Sequence, residues 1–203
     1  MKLYNSVGPN PRVVRMFLAE KGVELPLEEI DIRKAVNRQA EFLSKNPAGQ
    51  APCLELDDGS YISEITAICE YIEELHPTPV LIGKTAEERA VTRMWTRRVD
   101  LNICEPLANG FRFGEGLKMF EGRMRCLPEA SPGLKAIAQD KITWLDNLMA
   151  GQKFISGDNL CLADILLFCF MDFGTNVGQP INAQNANVAS WFEHMQGRPS
   201  ASA

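Results

Sequence analysis

Histidine is nearly missing from this chain of 203 residues, which holds only His76 and His194. Neither lies near any of the six cysteines, Cys53, Cys69, Cys104, Cys126, Cys161 and Cys169, and no two cysteines form a Cys-x-x-Cys pair. The usual ligand sets of a zinc site are therefore absent. Positive charge is also short: 21 Lys and Arg face 26 Asp and Glu, a formal net charge of -5. No basic cluster rises above that average, which argues against a surface for nucleic acid. Long hydrophobic runs are missing too. The stretch from Ile165 to Phe170 falls far short of the roughly 20 residues that cross a bilayer. Met1-Lys2-Leu3-Tyr4 reads as a strand with no signal-peptide pattern before it, so the expected location is cytoplasmic. In a reducing compartment the cysteines are expected to be small buried apolar side chains. What is present is an ordinary globular composition, 45% hydrophobic and 23% charged, long enough for one large domain or two small ones.

The most informative stretch is Asn46-Pro47-Ala48-Gly49-Gln50-Ala51-Pro52-Cys53-Leu54-Glu55-Leu56-Asp57-Asp58-Gly59, continuing to Ser63-Glu64-Ile65-Thr66-Ala67-Ile68-Cys69-Glu70-Tyr71-Ile72. It reads as loop, strand, tight turn, strand, helix. Asp58-Gly59 predicts a two-residue hairpin turn between two apolar runs. Glu64 falls at a helix start, where a carboxylate meets the positive end of the helix dipole.

Upstream, Lys2 to Asn5 predicts a first strand. A loop rich in turn residues follows, and Pro11 suits the first turn of a helix that Lys21-Gly22 closes. Leu27 to Ile32 alternates as a second strand, and Arg38 to Lys45 reads as a short helix. Downstream, His76-Pro77-Thr78-Pro79 breaks the helix Glu64 to Leu75 and starts a linker. After Thr85 the periodicity is helical, over Ala86 to Asn109, Leu134 to Leu148, Ala163 to Met171 and Trp191 to Met195. The expected domains are 1–78 and 86–203, α/β followed by all-α. Cys161 and Asp164 stand where a reciprocal N-cap opens the third of these helices. The thiol is a poor acceptor, so that half of the cap is expected to be weak.

Asn46-Pro47-x-Gly49-x-x-Pro52-x-Leu54, with Glu64-x-x-Ala67-Ile68-x-x-Tyr71-Ile72 behind it, resembles the glutathione-binding half of the cytosolic glutathione S-transferase family. The resemblance implies a thioredoxin-like N-terminal domain and a helical C-terminal domain. It also implies glutathione as co-substrate, no further cofactor and a homodimer. By the same resemblance, Ala51 offers its backbone N–H and C=O to the cysteinyl unit of the tripeptide, and Pro52 is cis. Glu64 accepts the ligand's ammonium group, and the N–H groups at the helix start, from Ile65 on, hold its α-carboxylate. The family usually has Ser or Thr where Ile65 stands. The lost hydroxyl contact weakens binding by about 1 kcal/mol, unless Ser63 or Thr66 compensates. Gln50 is expected at the ligand's glycine end, with Asn37 and Arg38 as further candidates there.

Conjugation needs the glutathione sulfur as thiolate. The loop Ser6-Val7-Gly8-Pro9-Asn10-Pro11 has Gly8 where theta-like classes place their Ser, and no Cys precedes Cys53. Gly8-Pro9-x-Pro11-x-x-Val14-Arg15, Leu54-Glu55-Leu56-Asp57-Asp58-Gly59 and Gly83-Lys84-Thr85 resemble instead an atypical yeast and bacterial class that lacks the catalytic Ser, Tyr or Cys. There a water and the N-terminus of the first helix hold the sulfur. The His and Ser with which the yeast protein holds that water have no match in Asn109 to Gly116. The candidates for thiolate stabilisation are Ser6, Asn10 and Arg112. Phe111 and Phe113, with Met119 and Phe120, are candidate lining for a hydrophobic electrophile. Two other readings stay open: a glutathione-binding or interaction module with little catalysis, and a thiol-dependent redox protein using Cys53.

Overall fold

A computed structural model of the chain describes residues 1–203. The chain divides between Leu81 and Ile82, with Ser202–Ala203 grouped with the first unit. Strand β1, Lys2–Asn5, lies at the centre of that unit's sheet. It pairs in parallel with β2, Leu27–Glu29, and antiparallel with β3, Cys53–Glu55, which pairs antiparallel with β4, Tyr61–Ser63. The order is β2-β1-β3-β4. Alternation along the strands sends Tyr4 and Cys53 into a cluster with Ile30 and Phe42. Their neighbours Leu3 and Leu54, also buried, face the other way.

Helix α1, Pro9–Lys21, begins at Gly8 and stops at Gly22, whose left-handed φ of 64° lets its N–H reach the Ala19 carbonyl at 3.1 Å. It packs on α3, Ile65–Leu75, and the two helices bury Phe17, Ile68 and Ile72. In this unit three elements differ from the sequence-based expectation. Strand β2 ends at Glu29 rather than Ile32, because the Asp31 carboxylate accepts the N–H groups of Arg33 and Lys34 and turns the chain. The Arg38 to Lys45 segment is a 3₁₀ turn, Val36–Arg38, then extended Gln39, then α2, Ala40–Lys45. The hairpin loop holds three residues, not two. Leu56 N–H meets the Ser60 carbonyl at 2.9 Å, and Gly59 at φ 82° closes a turn onto Leu56. A type I turn followed by a left-handed glycine fits the strand twist that a two-residue type I turn would oppose.

The second unit is helical. Helix α4, Ala86–Val99, is opened by a capping box. Glu88 N–H donates to Thr85 Oγ1 at 3.2 Å, and Lys84 N–H and Thr85 N–H donate to the Glu88 carboxylate. The predicted single helix through Asn109 is interrupted by a π-helical turn, Asp100–Cys104, before α5, Glu105–Phe113. Pro106 is the physical reason. It has no N–H for a regular helical bond, and its ring would press on the carbonyl four residues back; the wider turn relieves both. Then come α6, Leu117–Phe120, α7, Ser131–Leu148, α8, Leu162–Asn176, and α9, Ala186–Gln196.

Helix α8 is buried all round from Leu162 to Met171, as a central helix should be. A Cβ at Gly174 would sit 2.8 Å from Leu107, so glycine sets the approach of α8 to α5. At the start of α8 the Asp164 half of the cap is made, while Asp164 N–H meets the Cys161 carbonyl at 3.0 Å. The Asp164 carboxylate accepts from Cys161 N–H at 3.0 Å, Ile155 N–H at 2.9 Å and Trp191 Nε1 at 2.9 Å, and the Cys161 thiol donates to it at 3.2 Å. Burial raises the Asp164 pKa while these donors pull it down. Asp164 thus ties the cap of α8 to α9 and to the preceding loop.

Candidate functional site

In the first unit Gln50, Ala51, Pro52, Glu64 and Ile65 lie around β3 and the start of α3. The peptide bond Ala51–Pro52 is cis. Pro52 is buried and Ala51 half-exposed. Neither the N–H nor the carbonyl of Ala51 has a hydrogen-bond partner within the chain. Such an open pair at a strand end is what an extended peptide needs to add itself to a sheet. Beyond it lies Glu64, exposed, with its backbone at φ 73° and ψ 128°. No side chain caps α3, so the N–H groups of its first turn, from Ile65, are free of side-chain acceptors. A carboxylate-bearing ligand finds there both donors and the positive end of the dipole. The Gln50 side chain is exposed beside Ala51.

The loop after β1 is arranged differently from the expectation for Ser6. Its hydroxyl is 3% exposed and donates to the Ile30 carbonyl at 2.7 Å. A hydroxyl has one proton, so Ser6 has none left for a sulfur. The Ser6 carbonyl accepts from Arg15 at 3.4 Å, which holds the loop to α1. In the first turn of α1, Pro9 and Pro11 lack an N–H, and Asn10 carries the one between them. The Asn10 side chain is half-exposed.

Asn37 and Arg38 also depart from their expected place at a ligand. Asn37 is 6% exposed, and its Nδ2 donates to the Gly49 carbonyl at 2.6 Å. Arg38 Nη1 donates to the Ala48 carbonyl at 3.2 Å. Both side chains turn onto the loop rather than outward. Asn46, to which the sequence reading gave no role, is 2% exposed and spans the same loop, donating to the Gln50 carbonyl at 2.7 Å and accepting Ala48 N–H at 3.1 Å. The signal for it was available: an asparagine heading a glycine-containing loop commonly bonds the backbone two residues on.

Cys53 is fully buried beside this edge, and burial, aided by Glu55, pushes its thiol from 9.0 up to about 11. It stays protonated and out of reach of solvent at neutral pH. No group of three His, Cys, Asp or Glu side chains is placed to hold a metal ion, and no helix is long and apolar enough to cross a membrane.

In the second unit, Arg112 Nη1 donates to Asn109 at 2.8 Å, lies 3.9 Å from the Glu105 carboxylate and stacks over Phe120. Phe111 meets Phe173 edge-on at 5.0 Å and Phe120 at 6.2 Å. Phe113, half-buried, closes α5, and Met119 is exposed.

Residues 7–75 match the N-terminal domain of glutathione S-transferases, and residues 128–199 match the C-terminal domain. The chain is 31% identical over 208 residues to glutathione S-transferase 2 of Saccharomyces cerevisiae, covering 98% of this chain and 87% of the yeast protein. The chain belongs to the glutathione S-transferase family. The crystal structure of Gtt2 from Saccharomyces cerevisiae superposes with a TM-score of 0.93 at 32% identity, over 100% of this chain and 99% of that one. That of a glutathione S-transferase of class Gtt2 from Vibrio parahaemolyticus does so at 0.85 and 29%, over 98% and 95%. These glutathione S-transferases carry the same fold, a four-stranded mixed sheet with helices followed by a helical domain. They resemble this chain in the atypical yeast and bacterial class. Glutathione S-transferases use glutathione as co-substrate without a further cofactor.

Proposed function

We propose that the protein is a glutathione transferase that binds glutathione along the Ala51 edge, ionises its thiol and conjugates it to hydrophobic electrophiles. One observation carries this reading: the unpaired backbone of Ala51, next to a carboxylate held in a strained conformation at an uncapped helix start. The cysteinyl unit of glutathione pairs with Ala51. Glu64 takes the ammonium group, the first N–H groups of α3 from Ile65 take the adjacent carboxylate, and Gln50 faces the glycine end. Because Ser6 has spent its proton, the sulfur anion is left to the first turn of α1, where Asn10 supplies the one backbone N–H between two prolines. The thiol proton passes to solvent. The sulfur's electron pair forms a bond to the electrophilic carbon, and the leaving group departs with the pair of the broken bond. Phe111, Phe113 and Phe120 suit an apolar second substrate. Arg112, committed to Asn109 and Glu105, serves that wall better than it serves an anion. This activity fits a detoxifying role in the cytoplasm.

A homodimer belongs to the same proposal. Helices α4 and α7 expose Val91, Met94, Ile137, Trp144 and Leu148. The Trp95 and Trp144 rings lie 6.2 Å apart, with Arg98 over one and Lys141 over the other. Helix α4 is acidic at its start, Glu87 and Glu88, and basic at its end, Arg97 and Arg98. Two copies meeting antiparallel on it would match opposite charges.

The runner-up is a glutathione-binding module with little turnover, favoured by Ile65 in place of a hydroxyl residue. The redox reading loses its support with Cys53 buried and protonated. The test is the ultraviolet thiolate absorbance of bound glutathione, titrated against pH in the wild type, Ser6→Ala and Asn10→Ala. The bound thiol is expected to ionise below its free pKa in all three. Loss of early ionisation in Ser6→Ala would return the catalytic role to Ser6. Binding without early ionisation in the wild type would leave the module.

A further inference from the structure

The loop between α2 and β3 is held by an unusual run of side chains. Three consecutive carbonyls are each claimed: Ala48 by Arg38 at 3.2 Å, Gly49 by Asn37 at 2.6 Å and Gln50 by Asn46 at 2.7 Å. The next residue, Ala51, is the first whose N–H and carbonyl are open. Asn46 closes the loop at its head as well, taking the N–H of Ala48 on its side chain and that of Gly49 on its carbonyl at 2.9 Å. Gly49 stands at φ 60°, and a Cβ there would lie 2.9 Å from the Asn37 carbonyl and 3.0 Å from Arg38 Nη1 and Leu43 Cδ2. The bracket therefore closes on a position that only glycine fills. Asn37 and Asn46 are buried, so water does not compete for their bonds.

We infer that Asn37, Arg38 and Asn46 are positioning residues that hold the Ala51 edge in its glutathione-ready conformation. This rests on the reading of that edge as the glutathione site. An open strand end on a glycine loop would otherwise sample many conformations, and each would have to be given up on binding. The bracket fixes Ala48, Gly49 and Gln50 before the ligand arrives, so the tripeptide meets an edge already aimed. The three side chains thus act through the backbone, without touching the ligand.

The test combines two measurements on full-length wild type, Asn37→Ala, Arg38→Ala and Asn46→Asp. Asn46→Asp keeps the acceptor for Ala48 N–H and removes the donor to Gln50. The first is amide hydrogen exchange of Ala48 and Gly49 without glutathione. The second is the glutathione dissociation constant by calorimetry, with KM for glutathione against kcat. The expected result is exchange about tenfold faster and glutathione binding about tenfold weaker in Asn37→Ala and Asn46→Asp, one hydrogen bond's worth in each. Arg38→Ala, on the exposed side, should shift both about threefold. KM for glutathione should rise with kcat little changed. Weaker binding with unchanged exchange would make these residues direct ligand contacts and overturn the inference. Faster exchange with unchanged affinity would overturn it too. Should the two buried variants fail to fold, Arg38→Ala decides by the same criteria. A wild type that does not bind glutathione would bring down the reading of the edge, and this inference with it; the wild-type titration tells that failure from the others.

Discussion

At Glu64 the backbone occupies φ 73° and ψ 128°, a region that side chains other than glycine's enter only at a cost of about 1–3 kcal/mol. On the reading proposed above, that carboxylate receives the ammonium group of glutathione. Replacing it separates the two effects. Glu64→Gly should stabilise the fold by about 1 kcal/mol, seen as a higher melting temperature, by removing the strain. The same change should weaken glutathione binding by about tenfold or more, because a charge-assisted contact is lost. A variant that loses stability instead would show that the strain is not real. One that binds glutathione undiminished would remove Glu64 from the site. At this scale the sequence revealed which residue types were present but not where their protons point. Ser6 donates to Ile30 and Asn37 to Gly49, partners 24 and 12 positions away. No local pattern encodes such distances, whereas Ala51, Pro52 and Glu64 sit in a contiguous motif whose geometry is local.

Among elements, the end of α1 shows how a buried charge is put to structural use. Lys21 pairs with Glu73 of α3, both side chains almost wholly buried, and donates to the carbonyls of His76, at 2.8 Å, and Pro79. Glu73 accepts Leu81 N–H at 3.1 Å. One pair therefore ties α1, α3 and the segment 76–81 together. Lys21→Met should lower stability by about 3–5 kcal/mol, because Glu73 loses the cation it is buried against. Adding Glu73→Met should restore most of the loss, short of the Leu81 N–H left without an acceptor. Guanidinium denaturation of the single and double variants measures both. A double variant no better than the single would mean that the carbonyl contacts, not the loss of the Glu73 partner, dominate. The elements were legible where a local signal exists: β1 spans the residues its sequence predicts, and Gly22 stops α1. They were misread where side chains intervene in the backbone, as Asp31 does at β2, or where an extra residue enters a turn, as at Gly59 and before Pro106.

For the whole molecule, the balance of -5 leaves association to local surfaces. The apolar face of α4 and α7 is the place to test it. Met94→Glu sets a carboxylate in that face, and in sedimentation velocity it should weaken self-association by about a hundredfold or more if two copies bury it. A wild type that sediments as a monomer, or a variant that remains a dimer, would exclude this face as the interface. Family membership was legible from two motif blocks, because an open strand end and an uncapped helix start are built by residues close together in the chain. The exposed Trp144 was not singled out, because a surface patch is assembled from helices distant in sequence.

The π-helical turn at Asp100–Cys104 has a consequence for how such a protein changes over generations. Each residue of a helix advances the chain by about 100° around the axis. The side of α5 on which Phe111 and Arg112 stand is therefore set by a count of residues between Val99 and Glu105. Gain or loss of a single codon there would swing both around the rod with their chemistry intact. Substitution could only swap one side chain for another. A lineage can thus re-aim that wall by arithmetic.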